Sequence, residues 1–319
     1  MKAAVVTSFD HPPRLREVEA PTALEDEVIV TVRATALSQL VRAQASGKHY
    51  SSGTVPMVPG TDGVGLLPSG QRVYFAFPRR FGAMAEAVAV PAANIVMLPG
   101  DLDDITAAAI ANPGMSSWAA LTERAAFQRG ESVLINGANG TSGRLAIQIA
   151  KHLEASRVIA TARNTACETE LRALGADDFV ALQQAPDTLV ADFRRKISQG
   201  VDIVLDYLWG SPAEAFLKAA TGHGESEAAP RLRFVNIGSL AGASINFNAG
   251  TLRSSGLELQ GSGLGSLSHA ALIRAIAGLM QAVKPAGLTV DTMVRPLSEV
   301  ESVWTENSEA RFVFTVSKP

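Results

Sequence analysis

The stretch 133–153, VLINGANGTSGRLAIQIAKHL, sets three glycines, Gly137, Gly140 and Gly143, between a short apolar run and a segment whose Leu145, Ile149 and Leu153 recur at helical spacing. Strand, glycine turn and helix in that order present free backbone N–H groups at the positive end of a helix dipole, a combination suited to a pyrophosphate. Gly140 and Gly143 take the second and third places of the dinucleotide fingerprint G-x-G-x-x-G, Ala138 stands at the first, and Gly137 precedes it. Ala138 is acceptable there provided its φ stays negative. Glycines alone would also serve a plain chain reversal. The fingerprint's second half is a ribose-reading residue about 20 positions on, at the end of the next strand. That place is held by Arg163, after RVIATA. An acid there would pair with the ribose 2′-hydroxyl of NAD, whereas an arginine can pair with the 2′-phosphate of NADP through charge-assisted hydrogen bonds. The expected cofactor is NADPH, held by Gly137, Ala138, Asn139, Gly140, Thr141, Ser142, Gly143 and Arg163. The competing reading of Arg163 is a solvated residue after a strand.

The surrounding pattern must supply the strands and helices that this turn needs. From Pro113 onward strand-like runs alternate with helical ones: SVLING, GRLAIQIAKHL, RVIATAR, TACETELRALGA, FVAL, LVADFRRKIS, DIVLDYL, PAEAFLKAAT and RFVNIGS. Such alternation predicts βαβ units and a parallel sheet. The segment NIGSL closes one of these strands, so Gly238 and Ser239 fall on the edge where doubly wound sheets hold ligands. Before Asn112 the runs are short and β-rich, AAVVT, EVIVTVRATAL, QRVYFAF and AEAVAV, separated by Pro and Gly clusters, as in a small barrel. A long helical segment, HAALIRAIAGLMQAV, and a last strand, ARFVFTV, follow the α/β region.

Composition narrows the function classes. The 319 residues are 47% hydrophobic and 18% charged, typical of a globular protein of about two domains. A formal charge of −3 gives no electrostatic case for nucleic acid or an anionic membrane, leaving a small-molecule partner. Cys167 is the one cysteine, so neither an internal disulfide nor a Cys-based zinc cluster can form. It is expected to pack rather than react. MKAAVVTSFDHPPRL has only a brief apolar run before Asp10, unlike a signal peptide, and the expected location is the cytoplasm. A Tyr-x-x-x-Lys pair is absent: Tyr50, Tyr74 and Tyr207 are followed four places on by Thr54, Pro78 and Ser211.

Taken in order, VPGTDGVG (58–65), GQRVYF (70–75), GAMAEAVAVPAANIVMLP (82–99), ITAAAIANPGMSSWAAL (105–121), RGESVLINGANGTSG (129–143) and VDIVLDYLWG (201–210) resemble the zinc-free, quinone oxidoreductase-like branch of the medium-chain dehydrogenase/reductase superfamily. The resemblance implies an α/β protein: a GroES-like β-barrel catalytic domain from residues 1–113 and 262–319, and a Rossmann doubly wound parallel sheet over 114–261. It also implies a homodimer, with ASINFNAG (243–250) supplying a pairing strand. Zinc-dependent relatives carry G-H-E where this chain reads PGTDG, and a cysteine where it reads ATALSQL, so no metal is expected. Without a Lewis acid, reduction of a quinone or an α,β-unsaturated carbonyl is favoured over alcohol oxidation. Tyr50 corresponds to a tyrosine near the nicotinamide in similar proteins, and Ser38 to a position that is often Asn. Both are candidate catalytic residues, with Tyr50 read equally as a loop anchor. Asn112, Met115, Ser116 and Ser117 align with a cofactor-lining segment, Ser116 and Ser117 also reading as a helix N-cap. Gly263, in SGLG, aligns with a nicotinamide-contacting return. Asp62 and Asp206 are expected to be structural carboxylates. A non-enzymatic NADPH-binding sensor is the alternative function.

Overall fold

The structure is a computed structural model and describes residues 1–48, 52–222 and 229–316. The chain divides into two compact units, Met1–Asn112 with Ile276–Pro319, and Pro113–Ala275.

The first unit opens with the antiparallel pair β1 (Lys2–Val5) and β2 (Arg14–Glu17). Then come β3 (Glu27–Ala36), α1 (Gln39–Ala45), β4 (Asp62–Leu66), β5 (Arg72–Ala76), β6 (Ala87–Pro91), β7 (Ile95–Met97) and α2 (Asp104–Ala119). β3 is bonded along both edges and changes partner along one of them. Glu27–Thr31 pair with β6 and Ala34–Ala36 with the last strand, while β4 runs along the opposite edge. A long strand shared in this way lets an antiparallel sheet curl around its own core. Val30, Val32, Val73, Phe75, Val88 and Val90 alternate inward to fill it.

The second unit runs β8 (Ser132–Asn136), α3 (Thr141–His152), β9 (Arg157–Ala162), α4 (Glu168–Ala173), β10 (Asp178–Ala181), α5 (Pro186–Ser198), β11 (Ile203–Asp206), α6 (Gly210–Ala219), β12 (Arg231–Asn236), α7 (Ala249–Arg253) and β13 (Gly256–Gly261). Its six strands are all parallel, in the spatial order β10-β9-β8-β11-β12-β13. That is the doubly wound order, whose direction reverses between β8 and β11. Strands covered on both faces read as continuous apolar runs, and β8 is buried at every position. Leu134, Ile159, Val204, Phe193, Phe216 and Phe234 make up much of the core. The chain then continues through α8 (His269–Ala282) to β14 (Thr292–Pro296), α9 (Val300–Val303) and β15 (Arg311–Thr315), which joins β3 in the first unit.

One expectation is corrected. Ser116 and Ser117 do not cap a helix: both lie inside α2, which passes through Pro113, and their hydroxyls donate back to the carbonyls of Pro113 and Gly114. Within the single chain the segment 243–250 pairs with no strand, and the sheet ends on that side at β13.

Candidate functional site: the carboxyl edge of the parallel sheet

The ends of four adjacent strands of the second unit carry one polar residue each. Register places Thr161 beside Asn136, Asn136 beside Asp206, and Asp206 beside Asn236. The side chains connect in the same order. Thr161 Oγ1 donates to Asn136 Oδ1 at 2.9 Å, Asn136 Nδ2 donates to Asp206 Oδ1 at 2.8 Å, and Asn236 Nδ2 donates to Asp206 Oδ2 at 3.0 Å. Thr161 and Asp206 are fully buried and Asn136 nearly so. The row spans the topological reversal of the sheet, and its two ends hold the loops beyond it. Gly137 N–H donates to Thr161 Oγ1 at 3.1 Å. At the other end, Asn236 Nδ2 also donates to Gly238 O at 2.8 Å, and Gly238 N–H donates to Asp206 O. Sequence reasoning missed Asn136, Thr161 and Asn236 as positioning residues. The signal was present: Asn136 and Asn236 end their apolar strands, and Thr161 stands next to last in its own.

Asp206 is the hub. Besides the two asparagines, its carboxylate accepts from Leu208 N–H and Trp209 N–H. Burial pushes the carboxyl above its ordinary value, while the asparagine and backbone donors pull it back. Every partner donates, which matches the ionised form. The same bonds hold Trp209 at φ 54°, a conformation that a bulky residue adopts only when its surroundings impose it.

The glycine turn divides its labour. Gly137 takes φ 95° and Ala138 keeps a negative φ, so the left-handed residue sits one place before the usual first glycine. Gly143 is required by space: a Cβ there would lie 2.5 Å from Gly137 O. Gly140 is different, because a Cβ on it would meet nothing within 4 Å. It caps α3 in extended conformation with no side-chain bond to the helix N–H groups, which leaves an open, donor-rich surface. Arg144 steadies the turn from within α3 through bonds to Asn139 O and Asn139 Oδ1.

Arg163 is exposed just beyond β9. Nearby acids are engaged elsewhere, Glu168 with Arg172 and Glu170 with Arg144, so Arg163 has no carboxylate partner among the described residues. These features fit a phosphorylated dinucleotide: a close-approach turn, unspent N–H donors and an uncommitted guanidinium. Ser116 joins the same edge through Tyr207, whose hydroxyl lies 3.3 Å from Ser116 Oγ. Since Ser116 spends its proton on Pro113 O, Tyr207 is the donor. Burial raises the phenol to about 12, with the Ser116 and Ser117 hydroxyls opposing, so it stays protonated. Ser239 is exposed after β12 and Gly263 is exposed beyond β13; Thr141 and Ser142 are half-buried in the first turn of α3. Asn112 and Met115 are half-buried within α2. No observation on this edge singles them out.

In the first unit Ser38 caps α1, accepting from Val41 N–H at 3.1 Å. Asp62 is buried at the start of β4. Its Oδ1 accepts from the Thr61 hydroxyl and its Oδ2 from the Tyr74 hydroxyl at 2.9 Å. Burial raises both the Asp62 carboxyl and, by more, the Tyr74 phenol. Both carboxylate oxygens are thus committed, and no group of three His, Cys, Asp or Glu able to hold a metal ion occurs among the described residues. The described residues around Asp62 do not fit a zinc site. Tyr50 lies outside the described residues.

A doubly wound sheet with this turn, joined to a curled antiparallel domain, defines a two-domain nucleotide-dependent oxidoreductase. Residues 143–281 match the family model described as zinc-binding dehydrogenase. The chain is 31% identical to a protein of Emericella nidulans named "Probable NADPH-dependent quinone reductase", covering 96% of this chain and 97% of that one. It is 32% identical to the NADPH-dependent alkenal/one oxidoreductase of Arabidopsis thaliana over 56% of this chain and 51% of that one. Among solved structures, the quinone oxidoreductase from Thermus thermophilus superposes with a TM-score of 0.79 at 26% identity, over 99% of this chain and 100% of that one. The chain belongs to the quinone oxidoreductase-like branch of the medium-chain dehydrogenase/reductase superfamily, and it is an oxidoreductase.

Proposed function

We propose that the protein is a zinc-independent, NADPH-dependent reductase of quinones or α,β-unsaturated carbonyls. The observation that carries this reading is the pairing of an open, N–H-rich glycine turn with an uncommitted Arg163 at the end of the adjacent strand. Relatives named as NADPH-dependent quinone and alkenal/one reductases support the same substrate class. When bound, NADPH supplies the hydride. The chain's own residues orient the nucleotide: the row from Thr161 to Asn236 fixes the loops, and Arg163 holds the 2′-phosphate. The committed oxygens of Asp62 and the missing Cys and His ligands support chemistry without zinc. No described helix is long and apolar enough to cross a membrane, and we place the protein in the cytoplasm as a homodimer.

The test mixes the protein with NADPH and a panel of quinones, enals and enones, following loss of nicotinamide absorbance, with elemental analysis for zinc. Turnover without stoichiometric zinc is expected. NADPH binding with no turnover of any panel member would instead favour a sensor, and zinc at one per chain would overturn zinc independence.

A further inference from the structure

The bonds along the carboxyl edge of the parallel sheet run in one direction, and the charge on Asp206 sets it. An ionised carboxylate can only accept, and Asp206 accepts from Asn136 Nδ2, Asn236 Nδ2, Leu208 N–H and Trp209 N–H. Asn136 must then turn its amide oxygen the other way, toward Thr161. The Thr161 hydroxyl gives its single proton to that oxygen and keeps a lone pair for Gly137 N–H. Two side chains away from Asp206, its charge is expressed as an acceptor for the left-handed residue of the glycine turn.

A second path leaves the same carboxylate. Its bonds to Leu208 and Trp209 N–H fix the loop after β11, and the Leu208 side chain lies against the turn: a Cβ on Gly137 would come 2.9 Å from Leu208 Cδ2. Gly137 is thus held through Asn136 and Thr161 on one side and through Leu208 on the other. All of these residues belong to the second unit.

Asp206 is the one member of the row that titrates. Burial acts on it together with neutral donors, Asn136 from β8, Asn236 from β12, and Leu208 and Trp209 from its own loop. The neighbouring Tyr207 hydroxyl faces Ser116 and stays protonated. A proton on Asp206 would add a donor to a site already made of donors. The Asn136 amide would turn to accept it, and Thr161 would then stand between two N–H groups with its own proton unspent. The bond to Gly137 is weakened by that reversal.

We propose that Asp206 is a positioning residue for the nucleotide: its negative charge keeps the glycine turn in the form that binds NADPH, and affinity is lost when the charge is removed. The inference deepens the NADPH reading of this edge and rests on it. The sign follows from the bonds. Binding is strongest where Asp206 is ionised and declines as pH falls through its titration. Burial raises the carboxyl, so the decline comes at milder acidity than a surface aspartate would give.

The test uses full-length protein, the Asp206→Asn, Thr161→Val and Thr161→Ser variants, and NADP+, which carries the same phosphates and survives acid. Calorimetry gives its affinity from neutral pH down through the acid range, and amide exchange gives the protection of Gly137 N–H in nucleotide-free protein. At neutral pH, Asp206→Asn and Thr161→Val should bind about tenfold more weakly, with Thr161→Ser within about twofold of wild type. On acidification wild type should lose about tenfold in affinity relative to Asp206→Asn. The 2′-phosphate titrates in both proteins and cancels in that ratio. Thr161→Val cuts the chain while keeping the charge, so it should flatten the acid limb too, and it carries the test where Asp206→Asn does not fold. Parallel pH profiles for wild type and both variants would reduce the row to ordinary structural support and overturn the proposal. Tighter binding by Asp206→Asn would also overturn it, showing a carboxylate that only repels the phosphates. If wild type binds no NADP+, the NADPH reading fails; about tenfold lower Gly137 protection in both variants would then keep the link from charge to turn, and unchanged protection would remove it.

Discussion

Arg163 and Arg311 are both arginines beside strand ends, yet their surroundings differ. Arg163 is exposed, beside acids that are already paired, and follows β9, the strand next to the one that leads into the glycine turn. A bidentate guanidinium suits a phosphate dianion in water, where charge-assisted bonds contribute about 1.5–3 kcal/mol. Replacing it with an acid removes that attraction and adds repulsion toward the 2′-phosphate alone. Arg163→Glu is therefore expected to weaken NADPH binding by about 10- to 100-fold while leaving NADH binding within about twofold. Fluorescence titration with each nucleotide measures the ratio, and equal losses for both would remove the assignment. Arg311, on the first unit, is half-buried, and its Nε and Nη2 have no hydrogen-bond partner among the described residues.

The glycine turn between β8 and α3 provides a sharper test, because two glycines three residues apart do different work. At Gly143 an added methyl would run into the backbone of Gly137 and Ala138, so α3 must move away from the strand. Gly143→Ala should cost about 1–3 kcal/mol of stability, as overpacking does, and weaken NADPH binding with it. At Gly140 the φ of −74° is ordinary and the space is open. Gly140→Ala should leave the urea midpoint nearly unchanged yet weaken NADPH binding, since the methyl occupies the approach of the ligand rather than of the chain. Unchanged binding in Gly140→Ala would show that the phosphates lie elsewhere. The same scale explains what the sequence revealed. β8, α3, β9 and β11 were legible because their apolar runs and helical spacing agree with their burial on the sheet. β2, β4 and β13 were not: RLRE is polar, DGVGL carries two glycines, and GLELQG alternates like a half-exposed edge. Pro113 suggested a helix boundary, but α2 runs through it, held by the fully buried Ala107–Ala111.

For the whole molecule, a net charge of −3 means that an anionic nucleotide receives no attraction from the protein's overall field. Affinity must come from local donors, namely the α3 N-terminus and Arg163, both in the second unit. Ligand that binds only the folded state stabilises it by about 2.7 kcal/mol at 100 times Kd. The gain appears first where the ligand ties backbone that would otherwise open locally. Hydrogen exchange on the full-length protein with saturating NADPH should therefore slow residues 136–143, 161–166 and 206–210, at the carboxyl ends of β8, β9 and β11. The opposite end of the same sheet should change little: there Arg233, Ala125 and Glu131 are already bonded to one another without help from a ligand. The antiparallel pair β1–β2 serves as an internal control in the first unit. Protection confined to the carboxyl ends would tie the nucleotide to the row running from Thr161 to Asn236. Uniform protection across both ends of the sheet would mean that NADPH acts by global stabilisation alone, and the row would lose its claim to be the binding edge.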